Sequence, residues 1–162
     1  MSAAEVVVDA SLALKVGVEE RYSTEARSFW RTGEITGVKL LAPMLFLYEV
    51  ANALTKRMQR RQFTLEQAKE RLRFFLESGP LLQQVGPVRP RAMDLMDRFG
   101  LPTAYDAHYL ALAESQRYEC WNADERLWNT VKKELAWVRW IGERAATAKA
   151  RSSQTRVGGK CH

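Results

Sequence analysis

Four acidic residues, Asp9, Glu49, Asp106 and Asp124, lie at points of the sequence where carboxylates could act together. A cluster of three or four carboxylates cannot stay ionised in one crevice without cations. Oxygen ligands with open positions suit Mg²⁺ or Mn²⁺, which bind through a few carboxylates together with a substrate phosphate. The set therefore predicts metal-assisted phosphodiester hydrolysis, in which one ion generates the attacking hydroxide and the ions stabilise the leaving oxygen.

Each acid also has a structural explanation. Asp9 and Asp124 each precede a predicted helix and could be ordinary N-caps. Asp106 follows Thr103 at the spacing of a capping box. Glu49 lies at the edge of an apolar helix stripe, where an unpaired carboxylate is costly and a Lys or Arg partner would explain it equally well. Taken singly, the capping explanations outweigh chemistry, and only the joint pattern favours a functional site.

The elements that must position these acids alternate along the chain. Val6–Val8 is typical of a strand that is buried on both faces. Strands separated by helices predict an α/β fold, with a central, mostly parallel β-sheet flanked by helices on both faces. The carboxyl ends of parallel strands meet at one edge of a sheet, and Asp9 and Asp124 both follow strands. The predicted strands are 6–8, 38–42, 81–85, 119–122 and 136–141, and the predicted helices are 12–20, 23–31, 44–61, 65–78, 90–99, 103–116 and 124–133.

Length and composition indicate one globular domain. The chain has 162 residues, 46% of them hydrophobic, and no apolar run is long enough to span a membrane. Cys120 and Cys161 form no disulfide framework, and pairing between them is not expected. A reducing cytoplasm is the expected location.

The net charge of +6 is concentrated at the end of the chain. Five of the 25 Lys and Arg residues follow Glu143, and none of the 19 Asp and Glu residues does. We therefore predict a domain over residues 1–143 and a basic, disordered tail over residues 144–162. The charge is compatible with a polyanionic partner without proving one.

Four segments carry a resemblance to a known family: VDAS at 8–11, LYEVANAL at 47–54, PTAYDA at 102–107 continuing to ALA at 111–113, and NADERL at 122–127. In order and spacing they resemble the four motifs of PIN domains, and more closely those of VapC-type toxins of bacterial and archaeal toxin–antitoxin pairs. The resemblance covers roughly residues 6–141. No single motif is specific, whereas their order and spacing together are.

The resemblance implies a single PIN-like domain with Asp9, Glu49, Asp106 and Asp124 as its catalytic metal site. Members of the family are Mg²⁺- or Mn²⁺-dependent ribonucleases, usually homodimeric, and a small antitoxin silences them by filling the active-site groove. Ser11 and Asn122 are expected to support the site. The family usually has Thr or Ser two residues before the last acid, where this chain has Asn122, whose amide can still donate and accept hydrogen bonds.

Three functions are thus open: an endoribonuclease toxin that cleaves RNA, a PIN-type nuclease for RNA processing or repair outside a toxin–antitoxin pair, and a non-catalytic PIN binding module. The intact set of four acids argues against the third. The apolar residues of the helices between Ser23 and Ser78 exceed what one sheet can cover, which predicts a homodimer. Residues 56–61 carry Lys and Arg that are more typical of a solvated face than of a phosphate-binding track. His108 is given no role, because a His one turn into a helix is usually structural.

Overall fold

The computed structural model describes residues 4–157, which form five strands and eight helices. The strands are β1 (Glu5–Val8), β2 (Lys39–Pro43), β3 (Leu81–Gln83), β4 (Glu119–Asn122) and β5 (Val138–Trp140). The helices are α1 (Ala10–Gly17), α2 (Ser23–Thr36), α3 (Phe46–Gln59), α4 (Leu65–Ser78), α5 (Val88–Phe99), α6 (Ala104–Gln116), α7 (Glu125–Val131) and α8 (Gly142–Val157). Every predicted element is present in the predicted order, and apart from α8 the differences lie at the ends of elements.

The five strands form one parallel sheet in the order β3-β2-β1-β4-β5. Strand β1 lies at the centre, where Val6 pairs with Leu40 of β2 and Val8 pairs with Trp121 of β4. Val7 and Val8 are fully buried, as expected for a strand that is covered on both faces. The structure therefore confirms an α/β fold with a parallel central sheet flanked by helices.

Helix α6 packs against β1, β2 and β4, the middle strands of the sheet. A helix that is apolar around most of its circumference is a buried helix. Each large apolar side chain in such a position contributes about 1.5–3 kcal/mol through burial. Helix α6 is therefore a firmly held support for Asp106 on its first turn. Its buried residues are Ala107, Tyr109, Leu110, Ala111, Leu112 and Ala113.

Two Thr residues cap helices in different ways. The predicted capping box at Thr64 is present, because the side chains of Thr64 and Gln67 each accept a hydrogen bond from the other residue's backbone N–H. At α6, the Thr103 hydroxyl accepts from the backbone N–H of Tyr105 instead. The carboxylate of Asp106 is therefore not used in a capping box, and it is available for another role.

The end of the described chain differs from its prediction. Helix α8 continues to Val157 and packs on α2 and β5, with Ala145 buried. Its four Ala residues at 145, 146, 148 and 150 favour helix without requiring an apolar stripe. The prediction of a disordered tail was therefore wrong for residues 144–157, and the predicted domain boundary falls inside α8. Residues 158–162 lie outside the described residues.

Cys120 is a free, buried thiol on β4, and burial raises its pKa well above the usual value. Cys161 lies outside the described residues. Within residues 4–157, no helix is long and apolar enough to cross a membrane.

Candidate active site

The four predicted acids line one cavity of about 760 Å³. Asp9 follows β1 and Asp124 follows β4, and these neighbouring parallel strands end at the same edge of the sheet. Glu49 and Asp106 lie in the first turns of α3 and α6. Ser11 also lines the cavity. Four elements that are distant in sequence therefore deliver one carboxylate each to the same cavity.

Asp9 is buried and is held in one orientation. Its Oδ1 accepts hydrogen bonds from the Ser11 hydroxyl at 2.7 Å and from the Leu12 backbone N–H at 2.9 Å. Burial raises the pKa of Asp9 to about 8, the two hydrogen bonds oppose this rise, and the negative charges of Asp106 and Glu49 add to it. Asp9 is thus the N-cap of α1 and also lines the cavity, so its capping role does not remove it from the candidate site.

Ser11 and Asn122 order the turns around the site. The Ser11 hydroxyl oxygen accepts from the Ala123 backbone N–H at 2.9 Å and so ties the first turn of α1 to the turn after β4. Asn122 is 1% exposed; its Oδ1 accepts from the Asp124 backbone N–H, and its amide donates to the Arg139 carbonyl. Asn122 therefore shapes the turn that carries Asp124 without lining the cavity itself.

Asp124 caps α7 through one oxygen only. Its Oδ1 accepts from the backbone N–H groups of Arg126 at 2.9 Å and of Leu127 at 3.1 Å. Its second oxygen receives no hydrogen bond from the described residues. The cap fixes the orientation of this carboxylate and leaves one oxygen available to the cavity.

Glu49 has an uncharged partner rather than the Lys or Arg that was considered for it. The Tyr109 hydroxyl donates to Glu49 Oε1 at 2.7 Å, and Tyr109 is only 2% exposed. Burial raises the pKa of Glu49, the Tyr109 hydrogen bond lowers it, and the charge of Asp106 raises it again. Tyr109 therefore positions Glu49 without neutralising its charge.

The carboxylate of Asp106 makes no hydrogen bond and no ion pair with any side chain or backbone group that the structure describes. Burial raises the pKa of Asp106, and the nearby charge of Asp124 raises it further. Among the side chains that the structure describes, over residues 4–152, no Lys, Arg or His forms an ion pair with any of the four acids. The cavity, which Lys56 also lines, thus holds mutually repelling carboxylates that are not paired with a described protein cation.

The donor set fits a hard divalent cation in its chemistry. Carboxylate oxygens are the ligands that Mg²⁺ and Mn²⁺ prefer, and the missing counter-charge is what such an ion supplies. The side chains do not, however, adopt the spacing of metal ligands. In the part of the chain that the structure describes, no three His, Cys, Asp or Glu side chains form a group that could hold a metal ion. The acids line the same cavity, and three of them are engaged by hydrogen bonds from Ser11, from Tyr109 and from the N-termini of α1 and α7.

The sequence interpretation missed several residues of the cavity. Tyr109 carries a hydroxyl just before the apolar stretch 110–113 of α6, three positions after Asp106, and a polar group at the edge of that stretch was the available signal. His108 hydrogen-bonds through Nδ1 to the Ala104 carbonyl at 2.5 Å and does not line the cavity. The other polar residues of the lining that were not predicted are Tyr48, Asn52, Lys56 and Tyr105.

Comparison with known proteins identifies the fold. No protein-family model and no curated protein matches the chain. The crystal structure of PAE2754 from Pyrobaculum aerophilum is similar, with a TM-score of 0.62 and 24% identity over 92% of this chain and 99% of that chain. VapC20 from Mycobacterium tuberculosis, a toxin that cleaves the sarcin-ricin loop, is also similar, with a TM-score of 0.58 and 14% identity over 74% of this chain and 90% of that chain.

Likeness at these identities is evidence for the fold alone. The similarity extends over 92% and 74% of this chain, respectively, and agrees with the fold that the sequence resemblance predicted. The chain therefore has a PIN-like fold, with its four predicted acids on one cavity.

Proposed function

We propose that this chain is a Mg²⁺- or Mn²⁺-dependent endoribonuclease and the toxin component of a toxin–antitoxin pair. The observation that carries the proposal is the cavity that Asp9, Glu49, Asp106 and Asp124 line together, with no ion pair between any of them and a described Lys, Arg or His. A buried anionic cluster of this kind disfavours its own ionised form unless a cation is bound. Stability alone does not account for such a cluster, because burial, with a further contribution from mutual repulsion, raises the pKa values of Asp9, Glu49 and Asp106.

The four acids would hold the ion. When bound, it would supply a hydroxide nucleophile at neutral pH and charge stabilisation for the leaving oxygen. Ser11 and the α1 N-terminus orient Asp9, and Tyr109 orients Glu49, so that both present fixed oxygens to the cavity. Asp106 is the least constrained of the four acids and can adjust to an ion without breaking a protein contact.

The biological setting is proposed from likeness. The motifs resemble those of VapC-type ribonuclease toxins, and the similar structure of VapC20 belongs to a toxin that cleaves the sarcin-ricin loop. RNA is therefore the proposed substrate, and a small antitoxin protein that fills the cavity is the proposed partner. Action in the cytoplasm follows from that setting.

A homodimer is part of the proposal, with a narrower interface than the sequence indicated. Phe46, Val50 and Phe75 are buried within one chain. Three large apolar side chains of α4 remain exposed, which favours α4 as the contact surface between copies. They are Leu65, Phe74 and Leu76, with exposed fractions of 52%, 39% and 61%.

The test is cleavage of RNA by the purified chain in Mg²⁺ and in EDTA. We expect cleavage only with the metal, loss of cleavage by at least about a hundredfold in Asp106→Asn, and no change in Asp97→Asn. Asp97 is the matched control because it is an exposed acid on α5 that does not line the cavity. Cleavage that persists in ion-free EDTA buffer contradicts the proposal.

The antitoxin is tested separately from the chemistry. Co-purification with the product of a neighbouring short reading frame should suppress Mg²⁺-dependent cleavage, and removal of that product should restore it. Full activity in the presence of every such product indicates a nuclease outside a toxin–antitoxin pair. Folded protein without cleavage or Mg²⁺ binding indicates a non-catalytic module.

A further inference from the structure

Two exposed Tyr side chains stand at the acidic cavity. Tyr48 is 76% exposed and Tyr105 is 61% exposed, and both line the cavity. Each directly precedes a cavity acid, Tyr48 before Glu49 on α3 and Tyr105 before Asp106 on α6. Two different helices therefore present the same pair, an exposed aromatic ring beside a carboxylate.

Neither ring is used within the chain. Among the described residues, no ring packs against Tyr48 or Tyr105 and no cation lies over either face. The other tyrosines of the described chain are engaged: Tyr22 stacks edge-on against Trp140, and the hydroxyls of Tyr109 and Tyr118 donate to carboxylates. The folded chain therefore leaves the faces of these two rings open to a ligand.

Helix α3 continues this surface with polar groups. Tyr48, Asn52 and Lys56 are spaced four residues apart, so they lie on one face of α3, and all three line the cavity. Lys56 is exposed and forms no ion pair within the described residues. The neighbouring Arg57 is committed elsewhere, because its guanidinium binds both oxygens of Glu20. Of the basic residues at this end of α3, Lys56 is thus the one that faces the cavity.

We infer that Tyr48 and Tyr105 stack on nucleobases beside the cleaved phosphodiester and that Lys56 binds a neighbouring phosphate. This inference rests on the proposed function and assigns residues that bind its RNA substrate. Aromatic side chains bind single-stranded nucleic acids by stacking on any base, and an ammonium group pairs with a phosphate of the nucleic-acid backbone. A duplex keeps its bases stacked and out of reach, so the target is a loop or an unpaired end.

The polar groups favour RNA over a protein partner. An aromatic ring, an amide and an ammonium follow one another along α3 at one side of an anionic cavity. The ring can stack on a base, the amide can hydrogen-bond to the edge of a base or to a sugar, and the ammonium group can pair with a phosphate. Leu65, Phe74 and Leu76, three exposed apolar side chains that suit a protein contact, lie on α4 and do not line the cavity.

The test measures the binding of an eight-nucleotide single-stranded RNA that contains 2-aminopurine, whose fluorescence falls when it stacks on a ring. All proteins carry Asp106→Asn, so that binding is read without cleavage. We expect Tyr48→Ala and Tyr105→Ala each to weaken binding about tenfold and to remove the quenching, and Tyr48→Phe to restore both. Ile35→Ala is the control, because Ile35 is 77% exposed and lies away from the cavity, and it should bind as the parent does.

Two further arms separate base contacts from backbone contacts. Replacing the bases by abasic sites should weaken parent binding and leave the Tyr→Ala variants almost unaffected. Lys56→Gln should keep the quenching and lower the slope of log Kd against log salt by about 0.7, the value for one phosphate of a single strand.

The inference is overturned if the parent binds no RNA, or if both Tyr→Ala variants bind as the parent does. It is also overturned if these variants leave RNA binding intact and instead dissociate a dimer, because the rings then serve self-association. RNA binding that needs both rings, with no Mg²⁺-dependent cleavage by the wild-type chain, would support this inference and refute the proposed nuclease. Mg²⁺-dependent cleavage that neither Tyr→Ala substitution changes would support the proposed nuclease and refute this inference.

Discussion

Replacing Asp9 by Asn should stabilise the fold at neutral pH and abolish cleavage. Asp9 is 4% exposed, and burial among other acids raises its pKa from 3.8 to about 8. Asn has nearly the same shape and is as good an N-cap as Asp, so the hydrogen bond from the Leu12 N–H to the side-chain oxygen can be kept. The substitution therefore removes the charge while retaining the contacts that fix the start of α1.

The size of the effect follows from the raised pKa. Below pH 3.8 the carboxyl is protonated in the folded and the unfolded chain, so its contribution to stability is fully present. As the pH rises towards 8, the unfolded chain releases the proton and the folded chain keeps it, so this stability is progressively lost. By pH 7 the loss is about 4 kcal/mol on the scale of one pKa unit per 1.36 kcal/mol. Burying the amide hydrogens of Asn without partners costs the variant about 1–3 kcal/mol. Asp9→Asn should therefore be more stable than the wild-type chain by about 1–3 kcal/mol at pH 7.

The assay is urea unfolding of both proteins at pH 5, 7 and 8.5 in metal-free buffer. Wild-type stability should fall between pH 5 and 8 more steeply than that of Asp9→Asn, and the variant should be the more stable protein at pH 7. Parallel pH profiles, together with a less stable variant at pH 7, would refute the reasoning. That result would show that Asp9 is an ionised cap rather than a strained cavity acid.

Three further predictions concern the parts around the site. Tyr109→Phe removes the hydrogen bond that lowers the pKa of Glu49, so kcat should fall about tenfold and the pH–rate profile should move to higher pH. An unchanged profile would show that Tyr109 does not position Glu49. Truncation after Arg144 removes most of α8 and its packing on α2, so urea unfolding should show a loss of about 1–2 kcal/mol, whereas an unchanged midpoint would show that α8 does not support the fold. Leu76→Glu should convert the proposed dimer into a folded monomer in light scattering, whereas Phe75→Glu should unfold the chain, because Phe75 is 3% exposed. A dimer that survives Leu76→Glu would exclude this interface.

The fold could be predicted because its strongest signals are local. The Val6–Val8 run required a strand covered on both faces, and the structure places β1 at the centre of the sheet. The capping box at Thr64 is likewise a contact between near neighbours in the chain. The convergence of the acids could be anticipated for Asp9 and Asp124, because parallel strands share one carboxyl edge.

The remaining features depend on packing between distant segments. The hydrogen bond between Tyr109 and Glu49 joins residues 60 positions apart, and no pattern in either helix specifies it. Asn122 matched no family pattern at its position, and its role became clear only from its contact with the Arg139 carbonyl. The α8 helix was missed because an apolar stripe was required for a helix, whereas Ala-rich sequence and one buried residue, Ala145, suffice.

Calorimetric titration of Mg²⁺ tests most directly whether the four carboxylates act as one cation site. The wild-type chain should bind Mg²⁺, Asp97→Asn should bind it equally, and Asp106→Asn should bind it at least about tenfold more weakly while its far-UV circular dichroism stays unchanged. Asp106 is the decisive position because it makes no hydrogen bond or ion pair with the described residues, so its loss changes the charge of the cavity and little else. Equal Mg²⁺ binding by the wild-type chain and Asp106→Asn, or no binding by either at millimolar Mg²⁺, would contradict the account.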